Sequence, residues 1–211
     1  MSPFLRRSRV LGPAALALAL AAGSACSDPL RVQASLENVT DTLVVYALSD
    51  TAAARRDFPT SLSTGNIVVD GGGSAVGRPT LLPTGGDASF DVAFDLDDQR
   101  RVVLYPMRRI IIGSATRTVG LQVVGTPFET LAEAPKNGYQ FDSVAVTVTP
   151  GQTVAIQAQT VTCASTSNFS PYTYSKLVVD SVSAGVPAIH FRIVVDPNCG
   201  FRSFSSGVPR R

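Results

Sequence analysis

Apolar and polar residues alternate with a period of two over several short stretches of the chain. In residues 90–96, Phe, Val, Phe and Leu alternate with Asp, Ala and Asp, and similar runs occupy residues 119–123, 144–148, 154–158 and 189–195. Successive side chains of a strand point to opposite faces of a sheet, so this period predicts half-buried β-strands. The segment TLVVYAL, residues 42–48, is apolar on both faces and predicts a central strand.

Turn residues separate these strands. The residues DDQR, 97–100, predict a hairpin between the strand that precedes them and residues 102–105. Pro150-Gly151 suits the two central positions of a type II turn. Short strands with turn signals between them predict an all-β fold, an antiparallel β-sandwich that is immunoglobulin-like or related to it.

One segment carries a helical signal. Thr126 can cap a helix, Pro127 fits its first position and Glu129 completes a capping box, so we expect a short helix near residues 127–134. No shift in composition marks a second domain. Residues 30–211 are therefore expected to form a single domain.

Basic, apolar and small residues follow one another over residues 1–25. The apolar core, residues 10–22, is shorter than the ~20 residues that a helix needs to cross a bilayer. Three arginines precede this core and three small residues follow it: Arg6, Arg7, Arg9, Gly23, Ser24 and Ala25. The layout predicts a signal helix that directs export and is then cleaved.

The sequence Gly23-Ser24-Ala25-Cys26 resembles the lipobox of bacterial lipoproteins. The resemblance implies that the signal is cut before Cys26, that its thiol receives a diacylglycerol, and that residues 26–29 form a lipidated tether to the membrane. In two-membrane bacteria an Asp directly after the lipidated cysteine favours retention in the inner membrane, and Ser27 at that position implies the outer membrane. The alternative is an ordinary signal peptidase that cuts after Ala25, which the small residues equally permit.

The other cysteines bear on the same question. The chain has three in all, Cys26, Cys163 and Cys199, and an exported chain must account for an odd thiol. If Cys26 is lipidated, the other two can pair in an oxidising compartment, which would stabilise the fold by roughly 4 kcal/mol in the chain-entropy model. The pair would tie the end of the last strand, after the turn at residues 196–198, to the exit of the strand before Thr162. A zinc site is the alternative, but the close spacings of zinc ligands are absent.

Charge argues against a nucleic-acid partner. The formal net charge of the whole sequence is +2, and residues 1–25 hold three arginines and no acidic residue, so their removal lowers the charge to −1. Nucleic-acid binding requires a concentrated positive face. The expected partners are instead the membrane, through the lipid, and another envelope protein or a small ligand.

No catalytic constellation is evident, so we expect a protein without enzymatic activity or a cofactor. His190 is the single histidine, and the alternation places it with Arg192 on the polar face of its strand. Ser175 and Lys176 are neighbours on a strand and would point to opposite faces, which makes them a poor nucleophile and base pair.

Four carboxylates are clustered around the predicted hairpin: Asp91, Asp95, Asp97 and Asp98. The simplest interpretation is a soluble strand face followed by a turn. One alternative is a calcium site formed by Asp95, Asp97 and Asp98, although the EF-hand spacing is absent. The other is a pair of carboxylates that hydrolyse glycosidic bonds. The chain would then be a calcium-dependent adhesion module or a surface hydrolase.

The segment STSNFSPYTYS, residues 165–175, is the candidate binding loop. It places Phe169, Tyr172 and Tyr174 among small polar residues, a composition typical of adaptable contact surfaces. The alternative is that the rings cap the end of the core. Together these features predict an exported, lipid-anchored protein of the cell envelope with a binding or structural role.

Overall fold

The computed structural model describes residues 33–47, 64–66, 80–82, 91–110, 118–141, 144–166 and 170–209. Cys26 and the expected signal helix lie outside these residues. The compact unit Ala34–Arg211 contains every described strand. The strands form two antiparallel sheets, so the predicted all-β, sandwich-like class is confirmed.

The described elements are strands of two to 11 residues and two short helices. In chain order they are β1 (Val39–Tyr46), β2 (Thr64–Asn66), β3 (Thr80–Leu82), β4 (Val92–Leu96), β5 (Val102–Pro106), α1 (Met107–Ile110), β6 (Val119–Val124), β7 (Gln140–Phe141), β8 (Val146–Val148), β9 (Thr153–Gln159), α2 (Val161–Thr166), β10 (Tyr172–Val182) and β11 (Ala188–Asp196). Neither helix, among the residues that are described, has the length and apolar character needed to cross a membrane.

The larger sheet has six strands in the order β1-β11-β10-β9-β6-β7, and the smaller has five in the order β3-β2-β4-β5-β8. Their inner faces share one hydrophobic core, since apolar side chains cluster from both sheets. Members of this core include Val92, Phe94 and Leu104 from the smaller sheet and Leu121, Ile156, Val179 and Ile193 from the larger. Burial of these alternating positions is the reason that the period-two segments form strands.

Residues 42–46 of the TLVVYAL segment lie in β1, at one end of the described strand order, so the prediction of a central strand was wrong. Its pairing is to β11, with Leu43 opposite Phe191 and Val45 opposite Ile189. Val45 is buried in the core, whereas Val44 points outward and is exposed. An apolar residue on the outer face of an edge strand costs little, which is why composition alone misplaced this strand.

The hairpin of β4 and β5 is confirmed, with Leu96 opposite Val102. The expected wet face of β4 is not found at its start, because Asp91 and Ala93 are each 0 % exposed. The strand is therefore buried on both faces over its first half.

The Pro150-Gly151 turn has the predicted form. Gln152 N–H donates to the Thr149 carbonyl (3.0 Å), and Gly151 has a φ of 87°, the value that the third position of a type II turn requires. The two strands on either side belong to different sheets, β8 to the smaller and β9 to the larger. The turn therefore carries the chain across the sandwich rather than closing a hairpin.

The helix expected near residues 127–134 is reduced to one turn. Leu131 N–H donates to the Pro127 carbonyl (3.0 Å), and the chain is irregular from there to residue 139. The helix α2 was not predicted. The Thr160 hydroxyl caps its first turn by accepting a hydrogen bond from Cys163 N–H (3.1 Å).

Candidate functional site

The outer face of the six-stranded sheet is the candidate functional site, because a buried lysine, an arginine and several aromatic side chains come together there. Two segments, residues 127–134 and 201–206, lie over this face and are here called the cover. They pair with each other: Ala134 N–H donates to the Arg202 carbonyl (2.7 Å) and Phe204 N–H to the Ala132 carbonyl (2.8 Å). Beneath the cover is a second apolar cluster, made of Phe128, Leu131, Ala134, Tyr174, Val178, Val194 and Phe204.

Lys176 of β10 is buried in the middle of this cluster and is 5 % exposed. Its ammonium donates to the main-chain oxygens of Phe128 (2.5 Å) and Leu131 (2.9 Å). It also lies 4.6 Å from the centre of the Phe128 ring and 5.5 Å from that of Phe204. Burial lowers the pKa of Lys176, an effect that the negative charge of Glu129 opposes. The side chain therefore holds the single turn of the cover against the sheet.

Ser175, its neighbour, points into the core between the sheets. It lies opposite Ile156 and Val195, both of which are core residues. The prediction that Ser175 and Lys176 face opposite ways is thus confirmed, and the two cannot act on one substrate.

Arg192 of β11 fixes the edge of the cover from outside. Its guanidinium contacts both oxygens of Asp180 (shortest distance 2.8 Å) and Glu129 Oε1 (2.7 Å). These bonds raise the pKa of Arg192 above its usual value, and the bond from Arg192 lowers the pKa of Glu129. Arg192 also lies over the Phe128 ring, 5.1 Å from its centre. The pairs are partly exposed, so they position the cover more than they stabilise it.

The tyrosines of the predicted binding loop occupy the same face. Tyr174 is buried and Tyr172 is half-buried, whereas Phe169 lies outside the described residues. The Tyr139 ring packs 6.4 Å from that of Tyr174 and 6.3 Å from that of Phe141. Burial raises the pKa of both Tyr139 and Tyr174, so their hydroxyls stay protonated at neutral pH. Tyr174 therefore belongs to the packed cluster, which supports the capping alternative for this residue.

The disulfide between Cys163 and Cys199 is confirmed. It joins α2, which follows β9, to the segment after β11, as the position of the cysteines predicts. Because both thiols are consumed, a zinc site that uses them is excluded. Phe201 and Phe204, just beyond the bond, are both buried, and Phe204 packs in the cluster on the larger sheet.

A buried carboxylate lies next to this disulfide. Asp196, the last residue of β11, is 0 % exposed, and its Oδ1 accepts from the backbone N–H (3.0 Å) and side-chain Nδ2 (2.8 Å) of Asn198. Its Oδ2 is buried with no hydrogen-bond partner. Burial raises the pKa of Asp196 to about 6, although the bonds from Asn198 act in the opposite direction.

Asn198 is also hydrogen-bonded to the segment that precedes β1. Its Oδ1 accepts from the N–H groups of Ser35 (2.9 Å) and Leu36 (3.0 Å), and its Nδ2 donates to the Leu36 carbonyl (2.8 Å). Asn38 makes the reciprocal contact, with Nδ2 donating to the carbonyls of Ser203 (2.6 Å) and Ser205 (2.8 Å). Two asparagines thus attach the entry of the domain to its C-terminal segment.

The acidic hairpin uses its charge to form the turn. Asp97 Oδ1 accepts from the N–H groups of Gln99 (3.0 Å) and Arg101 (2.8 Å), and Oδ2 accepts from Arg101 Nε (2.7 Å). These hydrogen bonds lower the pKa of Asp97, and the largest effect comes from the bond that the Arg101 backbone N–H donates. Arg100 takes a φ of 58°, as expected for the residue that ends such a loop. The simplest interpretation, a turn, is the one that this geometry favours.

The other acidic residues do not form a shared site in the described structure. Asp91 is buried, Asp95 accepts from Leu96 N–H (2.8 Å), and Asp98 is exposed. Among the described residues, no three His, Cys, Asp or Glu side chains are grouped so that they could hold a metal ion.

His190 is exposed on the outer face of β11, as the alternation predicts. Its Nε2 lies 3.4 Å from Ser183 Oγ, a long contact at the surface between β10 and β11. This pair is exposed on the same outer face as Arg192 and lies outside the apolar cluster beneath the cover.

The sequence did not reveal the roles of three residues: Lys176 beneath the cover, and Asn198 and Asn38 between the start of the domain and its C-terminal segment. A signal existed for Lys176, because the residues two positions away on either side, Tyr174 and Val178, are apolar and share its face. No local signal marks the asparagines, since their partners lie more than 160 residues away.

No protein-family model, curated protein or solved structure matches the chain.

Proposed function

We propose that this chain is an exported, lipid-anchored protein of the cell envelope, whose β-sandwich serves as a binding or structural module. The observation that carries the proposal is the Cys163–Cys199 disulfide. Such a bond is typical of an oxidising compartment, and it accounts for two of the three cysteines. Cys26 remains, directly after a short apolar segment and three small residues, where a lipoprotein would be acylated.

The anchor in this proposal is lipid alone. Two or three acyl chains hold a protein firmly at a membrane, whereas one chain holds it marginally. The Ser at position 27 favours the outer membrane of a two-membrane bacterium.

The outer face of the larger sheet is the part of the domain best suited to a partner. Beside the cover it presents the exposed ring of Phe141 and the half-buried side chains of Tyr172, Gln157 and Gln159. Rings and amides of this kind can contact another envelope protein or a small neutral ligand. The acidic hairpin is a weaker candidate surface, because Asp97 is committed to its own turn.

Mass spectrometry of the mature amino terminus tests the proposal. The full chain, expressed in a two-membrane bacterium, should begin at Cys26 and carry the mass of a diacylglycerol with or without a further acyl chain. The matched control is Cys26→Ala, which should lose the lipid and leave the membrane fraction. A mature chain that begins with an unmodified Cys26 contradicts the lipoprotein proposal and supports simple secretion.

A further inference from the structure

A reactive dipeptide lies in the loop that leads from the cover to β7. Asn137 is followed by Gly138, and the sequence contains no other Asn-Gly pair. Both residues are exposed, and the chain bends at Asn137. Asparagine is a thermolabile residue, and glycine has no Cβ to hinder the approach of its own backbone nitrogen to the asparagine side chain. The pair therefore has the residue types and the exposure that spontaneous modification requires.

The folded structure leaves the reacting groups free. Within the described part of the chain, neither the Asn137 side chain nor the Gly138 N–H makes a hydrogen bond. Residues 135–139 have no strand or helix structure, whereas the chain on either side is fixed by hydrogen bonds to Ala134 and by the pairing of β7 with β6. A local movement of this loop therefore breaks no bond of the fold.

Two other asparagines of the chain give the contrast. Asn198 is buried, and its side-chain amide is committed to Asp196 and to the backbone of Ser35 and Leu36. Asn38 donates through Nδ2 to two carbonyls and is followed by a β-branched residue. Because these amides are held and their following residues carry side chains, they are protected where Asn137 is not.

We propose that Asn137 is a site of spontaneous deamidation. The Gly138 nitrogen loses its proton to solvent base and attacks Asn137 Cγ, so that a C–N bond forms. The bond from Cγ to Nδ2 breaks, and this nitrogen takes a proton from water and leaves as ammonia. The product is a five-membered succinimide ring. Water then adds to one of the two ring carbonyls and opens the ring, which gives either aspartate or isoaspartate, and no electrons are transferred.

Both products place a new charge on the loop. A carboxyl group with the ordinary pKa of aspartate is ionised at neutral pH, so the loop gains one negative charge directly before the edge strand β7. Only isoaspartate also changes the backbone, because its main chain runs through Cβ and Cγ and is longer by one C–C bond, about 1.5 Å.

The longer backbone enters a packed region. A side chain at Gly138 would meet Gln122 Nε2 at 2.8 Å, so there is little room around this residue. The next residue, Tyr139, has its hydroxyl buried, and its ring lies 6.4 Å from that of Tyr174. We therefore expect isoaspartate at position 137 to displace the Tyr139 ring and loosen the outer face of the larger sheet, whereas aspartate should not.

Peptide mapping by mass spectrometry tests the site in the full, folded chain. The peptide that contains Asn137 should gain about 1 Da, and the rate should be at least about tenfold higher at about pH 8.5 than at about pH 6, because the attacking nitrogen must first lose a proton. The peptides that contain Asn38 and Asn198 should keep their mass. A folded chain that keeps an unmodified Asn137 at the higher pH overturns the proposal.

The matched variant is Asn137→Gln, which keeps an exposed amide before Gly138. Its longer side chain would have to close a six-membered ring, so we expect modification at least about tenfold slower than in wild type. A urea-unfolded wild-type chain shows whether the fold protects the site. Its rate at Asn137 should lie within about threefold of the folded rate, and a folded rate more than about tenfold lower contradicts the claim that the reacting groups are free.

Thermal melting tests the effect on packing. Anion exchange separates the modified chains, which carry one more negative charge, and fragmentation in the mass spectrometer distinguishes isoaspartate from aspartate. The isoaspartate form should melt at least about 3 °C below wild type, whereas Asn137→Asp, with the charge but the ordinary backbone, should melt like wild type. Equal melting temperatures for all three chains overturn the proposed displacement of Tyr139.

Discussion

The ammonium of Lys176 donates to the main-chain oxygen of Phe128, 48 residues away in sequence, across 2.5 Å. This contact joins the middle of β10 to the one turn that the cover retains. It places a cation inside an apolar cluster, where it is tolerated because two carbonyls and two ring faces surround it.

We expect Lys176→Met to destabilise the protein by about 3 kcal/mol, because the carbonyls of Phe128 and Leu131 would be left buried without donors. Urea denaturation measures the change in the free energy of unfolding. Lys136→Met, at an exposed lysine, is the matched control and should be nearly neutral. An unchanged or higher stability for Lys176→Met would show instead that the buried charge is a net cost that methionine relieves.

Replacing both Cys163 and Cys199 with serine should lower the free energy of unfolding by about 4 kcal/mol, since the cysteines are 36 residues apart and the bond restricts the unfolded chain. Thermal melting with and without dithiothreitol checks this. Wild type should lose stability in the reductant, and the double variant should not respond to it. A wild-type melting temperature that reductant leaves unchanged would contradict the prediction.

The pH dependence of stability should carry the signature of Asp196. Burial raises its pKa to about 6 in the folded state from the ordinary value of 3.8, so the folded protein binds a proton that the unfolded chain releases between these values. The free energy of unfolding should therefore rise as the pH falls from about 7 to about 4, by about 3 kcal/mol in total.

The measurement is the difference between wild type and Asp196→Asn, followed by urea denaturation across that range. The variant should lose this part of the pH dependence, whereas Asp98→Asn, at an exposed position, should keep it. The lowered pKa values of Asp97 and Glu129 act in the opposite sense at lower pH, and both are present in wild type and in the Asp196 variant, so the difference cancels them. If the free energy of unfolding has the same pH dependence in wild type and Asp196→Asn, the prediction is wrong.

The hairpin should depend on the acceptor oxygen of Asp97 rather than on a bound cation. Asp97→Ala removes the acceptor for Gln99 and Arg101 and should lower the melting temperature more than Asp97→Asn, which keeps one. Differential scanning calorimetry with calcium and with chelator completes the test, with Asp98→Ala as the control. A calcium-dependent rise in melting temperature that is lost in Asp97→Asn would favour the adhesion module instead.

The strands were predictable because the period of two is a local property of the sequence. Phe94, Leu121 and Ile193 lie in the core where the alternation puts them. The pairing of strands depends on residues far apart in the sequence. For this reason Val44 was assigned to a central strand, although its strand lies at the edge of the described sheet. The turn at Pro150-Gly151 was predicted, but its role as a crossover between sheets depends on partners elsewhere in the chain.

The candidate site was predictable only in part. The cysteine pair followed from counting thiols, whereas the cover depends on long-range hydrogen bonds such as those of Lys176 and Asn198. A lysine within a strand pattern is ordinarily assigned to solvent, and only the apolar neighbours on its face argued otherwise. Phe169 and Cys26 lie outside the described residues, and their roles stay predictions.

The bond between Cys163 and Cys199 closes a covalent ring that includes the whole of β10 and β11. A single proteolytic nick within that ring cannot separate the molecule into two pieces. After such a cut the disulfide still holds the two fragments together, so their effective concentration stays high and they can remain paired. In an environment rich in proteases, a sandwich without the disulfide could dissociate after the same cut.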